Sequence, residues 1–91
     1  MRDDHFEWDD TKAAINFAKH QVSFEQARLV FDDPSPFDGV DLDSPGEDRY
    51  TTIGMSDGAL LHVTYTDRDE RIRIISARKA NRIERKKYYE G

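Results

Sequence analysis

The spacing of apolar residues at the start of the chain predicts a short strand followed by a helix. Phe6-Glu7-Trp8 alternates apolar and polar residues, as a strand does. Asp9 or Asp10 then offers a side-chain oxygen to the free amides of a helix over residues 11–20. The apolar side that this helix is expected to bury consists of Ala14, Ile15, Phe17 and Ala18. The rim of the helix is expected to carry Lys12, Asn16, Lys19 and His20.

A second helix is predicted to begin after Ser23 and to end before Pro34. Gln26 stands three residues after Ser23, the capping-box spacing in which each side chain bonds the other residue's backbone amide. Its buried side is expected to contain Phe24, Ala27, Leu29, Val30 and Phe31. Residues 32–48 hold all three prolines and seven acidic residues. We therefore expect a loop there, with a short strand around Phe37–Leu42.

Three strands are predicted after this loop. Tyr50–Met55 and Ala59–Thr66 flank Asp57-Gly58, a dipeptide typical of tight hairpins. In the middle strand Leu61, Val63 and Tyr65 share one face, and Leu60, His62 and Thr64 share the other. In the third strand, Arg71–Ser76, we expect Ile72 and Ile74 to point into the core and the arginines to point outward.

A basic helix over roughly residues 79–90 completes the pattern, with a narrow apolar stripe through Ala80 and Ile83. Helices are thus segregated from consecutive strands, which indicates the α+β class. We expect a small antiparallel sheet packed with two N-terminal helices and a basic C-terminal helix. The acidic loop is too short to divide domains, so residues 1–91 are expected to form one domain.

Charge is segregated along the chain. The net charge is −5, yet residues 71–91 carry eight basic residues and two acidic residues. A basic end beside an acidic body is typical of proteins that bind anions such as nucleic acids. From charge alone, the simpler explanation is a solvated basic helix on the surface.

Several classes of site are excluded by composition and spacing. The chain has no cysteine, which rules out disulfides, thiolate metal sites and a cysteine nucleophile. The three histidines share no ligand spacing and the acidic segments fit no calcium loop, so no metal or other cofactor is expected. The N-terminus lacks the apolar run of a secretory signal, and no apolar stretch approaches a membrane span. We therefore expect a cytoplasmic protein that does not bind membranes.

The remaining residues allow metal-free cleavage of RNA, in which the ribose 2′-hydroxyl attacks the adjacent phosphate. This reaction needs a proton acceptor, a proton donor for the leaving oxygen and fixed cations for the developing charge. A histidine such as His20 can serve in either proton transfer, and arginines suit the phosphate charge. The alternative role for His20 is a cation that stabilises the C-terminus of its helix.

The chain resembles the BrnT-type toxins of bacterial toxin–antitoxin pairs nearly from end to end. The first half of the resemblance rests on Phe6-Glu7-Trp8-Asp9, Lys12, Asn16, Lys19-His20, Val22-Ser23-Phe24, Ala27 and Phe31-Asp32. The second half rests on Asp48-Arg49-Tyr50, Ile53-Gly54, Arg68, the run Arg73–Ala80 and Glu84-Arg85. Gln21 departs from the family, which has glycine there. Glycine would end the helix in the left-handed conformation, so Gln21 weakens the prediction that the first helix ends at residue 20.

The resemblance implies a fold similar to RelE-type ribonucleases and an enzyme that halts translation by cutting RNA. It also implies a BrnA-like antitoxin with a ribbon-helix-helix part, through which the pair binds operator DNA and represses its own operon. Chemical type and position in the matched segments then select the catalytic candidates His20, Arg49, Arg68, Arg78 and Glu84. The residues expected to bind RNA are Lys19, Arg73, Lys79, Arg82 and Arg85.

A second function class fits the same residues. A non-catalytic module could use the basic terminal helix to bind an acidic partner protein and act with that partner in transcriptional autoregulation. A short neighbouring reading frame with an acidic stretch and a ribbon-helix-helix pattern would favour the toxin.

Overall fold

A computed structural model describes residues 1–43 and 48–91 and confirms the α+β class. The N-terminal elements are β1 (Phe6–Glu7), α1 (Asp10–His20), α2 (Phe24–Arg28) and a 3₁₀ helix (Leu29–Asp32). The remaining elements are β2 (Phe37–Asp41), β3 (Arg49–Ser56), β4 (Ala59–Arg68), β5 (Arg71–Lys79) and α3 (Arg82–Glu90). Residues 44–47 of the predicted acidic loop lie outside the described residues.

The five strands form one sheet in the order β1-β5-β4-β3-β2. Strands β2 to β5 pair antiparallel, and the Asp57-Gly58 turn joins β3 to β4 as predicted. The predicted antiparallel sheet is thus confirmed, and the short strand β1 adds one parallel pair with β5 at its edge. The third predicted strand, Arg71–Ser76, is longer in the structure, where β5 continues to Lys79.

Helices α1 and α2 cover one face of the sheet, and the main core lies between this face and the helices. Its buried residues are Trp8, Val22, Phe24, Ala27, Val30, Leu61, Val63, Ile74 and Ala77. Ile72 packs against this cluster, so both isoleucines point inward as predicted. The outward Arg73 lies beside Glu7, with 2.8 Å between Nη1 and Oε2.

The predicted end of the first helix and start of the second are confirmed, whereas α2 ends at Arg28 and is followed by a 3₁₀ helix, and the terminal helix begins at Arg82 rather than near residue 79. Asp9 caps α1 by accepting a hydrogen bond from the Lys12 amide, and Ser23 and Gln26 form the complete capping box. Gln21 adopts the left-handed conformation, with φ of 61°, and ends α1 at His20 as a glycine would. The missing glycine therefore costs strain at Gln21 but does not move the boundary.

The prediction for the buried side of α1 is wrong. Ile15 and Phe17 are 62% and 48% exposed, and Ala14 and Ala18 are exposed too, whereas Asn16 is buried. Leu29, expected to be buried in the second helix, is also exposed. Neighbouring helical residues lie about 100° apart around the axis, so a helix that buries Asn16 turns Ile15 and Phe17 away from the sheet.

Asn16 is buried because it completes the edge of the sheet. Strand β1 pairs only with Ile72 and Arg73, which leaves the later part of the β5 edge uncovered. The Asn16 Nδ2 group donates to the Ala77 carbonyl (2.9 Å), and the Ala77 amide donates to Asn16 Oδ1 (3.2 Å). Nδ2 also donates to the Val22 carbonyl at 3.0 Å. Buried backbone groups need such partners, so Asn16 takes the place of an absent strand.

Asp33 closes the opposite edge in the same way. Strand β2 pairs with β3 only as far as Ile53, and beyond it the Met55 amide donates to Asp33 Oδ2 at 2.8 Å. The Tyr88 hydroxyl of α3 donates to the same oxygen at 2.6 Å. Asp33 thus joins α3 to the sheet edge.

Helix α3 lies on the sheet face opposite α1 and α2, where it crosses one end of the strands. Ile53 and Leu60 are buried outside the main core on that side. Helix α3 has no buried residue of its own. Below we call the part of this face that α3 leaves uncovered the open face. Within the described part of the chain, no helix is long and apolar enough to span a membrane.

Replacement of Asn16 by alanine is expected to lower the free energy of unfolding by about 3 kcal/mol, because it leaves buried backbone groups of Ala77 and Val22 without partners. Urea denaturation followed by circular dichroism measures the change. Lys12→Ala, an exposed position one turn earlier, serves as the control and should change stability by no more than about 0.5 kcal/mol. Equal costs for the two variants would contradict a structural role for Asn16.

Candidate functional site

The strongest polar arrangement on the open face joins Arg78 of β5 to Glu84 of α3. Arg78 Nη1 and Nη2 donate to Glu84 Oε1 and Oε2 at 2.7 Å and 2.8 Å. Such a two-pronged pairing fixes both side chains in orientation as well as position. The side chain of Arg78 is nevertheless 37% exposed, whereas that of Glu84 is 13% exposed.

The start of α3 places Glu84. Asn81 caps this helix by accepting a hydrogen bond from the Glu84 amide at 2.8 Å, and Glu84 Oε1 accepts one from the Asn81 amide at 2.9 Å. This is a second capping box, with asparagine and glutamate in the two roles. One carboxylate therefore caps a helix and holds an arginine of the sheet.

His62 completes the cluster. It is the strand partner of Arg78, and its Nε2 lies 3.5 Å from Glu84 Oε2 with 17% of the side chain exposed. A histidine, an arginine and a carboxylate thus meet at the edge of α3. We call these three residues the Arg78 cluster.

Burial and hydrogen bonding shift the ionisation of this cluster. Burial alone would raise the pKa of the Glu84 carboxyl, but hydrogen bonds from Arg78 and the Asn81 amide outweigh it, so the pKa lies below its ordinary value. Burial lowers the pKa of His62 below 6.5, against the opposing effect of the Glu84 carboxylate. At neutral pH the cluster therefore holds an ionised carboxylate, a guanidinium and a neutral imidazole.

Two further rows of polar residues extend the open face away from α3. Register places Thr51, Thr64 and Ser76 side by side on β3, β4 and β5. Next come Thr66 and Arg73, which pair across β4 and β5. Arg49 lies on this side too, because the following Tyr50 packs against Tyr65 on the core side. An arginine lies at each end of this face, Arg73 paired with Glu7 and Arg78 paired with Glu84, with about 16 Å of strand between the two arginines.

The structure brings some of the sequence-predicted site residues together and separates others. Arg78 and Glu84 are in contact, and Arg49 and Arg73 share their face. Lys79, Arg82 and Arg85 are exposed around the start of α3. Arg68 lies at the far end of β4, beside the turn to Arg71 and about 20 Å of strand from His62.

Lys19 and His20 lie in a different place, a groove between α1 and β5. Its other lining residues are Lys12, Ile15, Asn16, Ile75 and Ser76, and its volume is about 220 Å³. Ser76 is the link between the two places, since it lines the groove and also pairs with Thr64 on the open face.

Sequence reasoning missed His62 as a functional candidate. The signal was present, because His62 alternates with core residues Leu61 and Val63 and therefore lies on the other face of β4. The sequence did not show that Glu84, 22 positions later, lies against His62 on that same face. Among residues 1–43 and 48–91, no group of three or more histidine, cysteine, aspartate or glutamate side chains is arranged to hold a metal ion.

Comparison with known proteins gives one family. A family model described as "Ribonuclease toxin, BrnT, of type II toxin-antitoxin system" matches residues 8–84. The matched range includes both the groove and the Arg78 cluster. No curated protein matches the chain.

The Tyr88–Asp33 hydrogen bond, which holds the other end of α3, is expected to show itself in the pH dependence of stability. It raises the pKa of Tyr88 to about 12 from 10.0, and it lowers that of Asp33. The Tyr88 contribution is therefore fully present below pH 10 and is lost as pH rises through 12, while that of Asp33 is lost as pH falls below 3.8.

Tyr88→Phe removes the bond, so the variant should be less stable than the unchanged protein at neutral pH and the difference should close above pH 10. Urea unfolding at a series of pH values measures it, with Tyr89→Phe as control, since Tyr89 is exposed. A stability difference independent of pH would show that the tyrosine acts by packing alone.

Proposed function

Because the chain belongs to the BrnT family of ribonuclease toxins of type II toxin–antitoxin systems, we propose that it cleaves RNA without a metal ion at the open face of its sheet. The observation that carries this proposal is the Arg78 cluster. It combines, at one exposed place, a fixed cation, an ionised carboxylate and a neutral imidazole. The cation and the imidazole are two of the groups that attack by a ribose 2′-hydroxyl requires, a stabiliser of the phosphate charge and a proton acceptor, and the carboxylate orients both.

In the proposed reaction the 2′-hydroxyl gives its proton to a base and its oxygen forms a bond to phosphorus. The bond from phosphorus to the 5′-oxygen breaks, and the 5′-oxygen leaves as a hydroxyl after taking a proton from water. Arg78 stabilises the charge that develops on the phosphate oxygens. Both terminal nitrogens hold Glu84, and Nη1 also donates to the Lys79 carbonyl at 3.3 Å. Among the described residues, the Nε–H and the second Nη2 hydrogen have no protein acceptor and are available to a phosphate. Glu84, with its lowered pKa, orients Arg78 and His62 rather than carrying the proton itself.

Two histidines are candidates for accepting the 2′ proton. His62 has the better surroundings, because it is neutral at pH 7 and lies next to Arg78. His20 remains the candidate that sequence position favours, and it reaches RNA only if the substrate also enters the groove beside Ser76.

The other basic residues are proposed to bind RNA by charge. Lys79, Arg82 and Arg85 surround the cluster, and Arg49 and Arg73 lie where flanking phosphates of a bound strand would pass. Arg68 is too far from Arg78 to act on the same phosphate, so its proposed role is to hold a distant part of the substrate. Lys19 lies in the groove between α1 and β5, so it would bind only RNA that also enters this groove.

We further propose that the protein acts in the cytoplasm and is neutralised by a BrnA-like antitoxin with a ribbon-helix-helix part. The antitoxin would cover the open face and thereby exclude RNA. Contact with operator DNA would come through the antitoxin alone. The proposed cleavage reaction uses no cofactor.

Arg78→Lys is expected to lower the rate of RNA cleavage about a hundredfold, because lysine keeps the charge but cannot hold Glu84 and a phosphate in one planar fork. The measurement is single-turnover cleavage of a labelled RNA in the presence of a chelator. Arg85→Lys is the matched control on the exposed side of α3, and a change below about threefold is expected there. No cleavage by the unchanged protein would favour the non-catalytic partner-binding module.

His62→Ala is expected to abolish growth arrest on induced expression, whereas His20→Ala should leave it largely intact. The physical reason is that only His62 lies beside the phosphate-binding Arg78. In addition, cleavage by the unchanged protein should persist at pH 6.5 and fall only at more acidic pH, because the base must be neutral and burial lowers the pKa of His62 below 6.5. The reverse result, with only His20→Ala inactive, would move the catalytic centre to the groove.

A further inference from the structure

The outer side of α1 is an apolar surface that nothing in the described chain covers. From residue 14 to residue 18, the exposed apolar side chains are Phe17, Ala14, Ala18 and Ile15, in that order around the helix. At 100° per residue they form a continuous arc of about 160°. A helix normally buries such an arc, and a contiguous apolar patch on a surface marks a place where another molecule binds.

Positive charge borders this arc on one side. Lys12 and Lys19 follow Ile15 around the helix, and both are exposed. They also line the groove between α1 and β5, together with His20 at its end. The apolar arc and the basic groove are therefore one surface, which we call the α1 surface.

A β-bulge shapes the floor of the groove. Thr64 pairs with Ser76 but the next residue, Tyr65, pairs with Ile74, so Ile75 has no partner in β4. The extra residue lies in the groove, where it provides a second apolar wall facing Ile15. Bulges commonly redirect a side chain in this way near functional surfaces.

We propose that the α1 surface is the docking site for an acidic, amphipathic segment of the antitoxin. Its apolar residues would cover the arc and enter the groove between Ile15 and Ile75, while its carboxylates would pair with Lys12 and Lys19. This inference rests on the proposed neutralisation by an antitoxin. It assigns the contact to a surface that is separate from the Arg78 cluster.

The chemistry of the surface favours a protein segment over RNA. Single-stranded RNA is held mainly by large aromatic side chains on which bases stack, and the groove lining contains no phenylalanine, tyrosine or tryptophan, only the ring of His20 at its end. Phe17 lies on the far side of the arc from the two lysines. Ala14 and Ala18 are small enough for a second backbone to approach closely. Phosphates would be attracted by the lysines but would not cover the isoleucine and the phenylalanine.

The position of the groove also explains how docking there would inhibit cleavage. Ser76 forms part of the groove and lies two residues before Arg78 on β5. A segment that leaves the groove past Ser76 therefore continues directly onto the open face. The part of the antitoxin segment bound to α1 would supply the affinity, and the part that continues onto the open face would exclude RNA.

The absence of cysteine allows a direct test by single-thiol protection. Ala18→Cys places one thiol on the arc, and Ser35→Cys places one at the exposed β2 side of the molecule. The probe is the purified antitoxin encoded beside the gene. It should slow maleimide labelling of the Ala18→Cys variant at least tenfold and that of the Ser35→Cys variant less than twofold. Unchanged labelling at Ala18→Cys in a formed complex would overturn the docking site.

A charge substitution supplies a second readout with a matched control. Ile15→Glu and Ile83→Glu introduce the same carboxylate at isoleucines that are 62% and 68% exposed, in α1 and α3 respectively. Ile15→Glu should weaken antitoxin binding at least tenfold and Ile83→Glu less than threefold, by titration calorimetry. Ile15→Glu should still cleave RNA and should escape neutralisation. Equal effects of the two variants would count against the α1 surface.

An RNA arm separates this inference from the proposed function. A 2′-O-methyl RNA that resists cleavage should leave labelling of the Ala18→Cys variant unchanged, and protection by it would reassign the surface to RNA. If the unchanged protein cleaves RNA and the antitoxin stops it without protecting Ala18→Cys, only the docking site fails. If no complex forms, the proposed neutralisation fails with it.

Discussion

The pairing of the Asn16 side chain with the backbone of Ala77 is the constraint on which the rest of the structure depends. β1 is only two residues long, so much of the β5 edge has no neighbouring strand. One carboxamide satisfies both the amide and the carbonyl of Ala77, and it also ties the chain after α1 through Val22. A buried amide with three good hydrogen bonds sets the rotation of α1 more strictly than apolar packing would.

The rotation of α1 has consequences on both of its sides. It turns the apolar arc of Ile15 and Phe17 to the outside, and it places Lys12, Lys19 and His20 along the groove. The same device recurs at the other edge, where Asp33 binds the Met55 amide and Tyr88 together. Short edge strands are thus completed by side chains, which protects the sheet from further pairing.

Fold and site share their interactions at α3. This helix has no buried residue and is held by Glu84 at its start and Tyr88 near its end. Glu84 therefore stabilises the helix, neutralises part of the charge of Arg78 and faces His62 at once. The net charge of −5 hides this arrangement, because the acidic residues lie mostly in other segments and leave the face around α3 basic.

The sequence alone determined the features that depend on neighbours along the chain. Ser23 with Gln26 marked a helix start, Asp57-Gly58 marked a hairpin, and alternation placed Ile72 and Ile74 inward, because caps, turns and pleats are local. The family was also recognisable from residues in order. Only the tertiary structure decided which side of α1 is buried, since the partner of Asn16 is 61 positions away. The meeting of His62 with Glu84 and the parallel pairing of β1 were likewise decided there. Hydrophobic periodicity assumes that the apolar side of a helix is the buried one, and here a buried polar group with distant partners outweighed it.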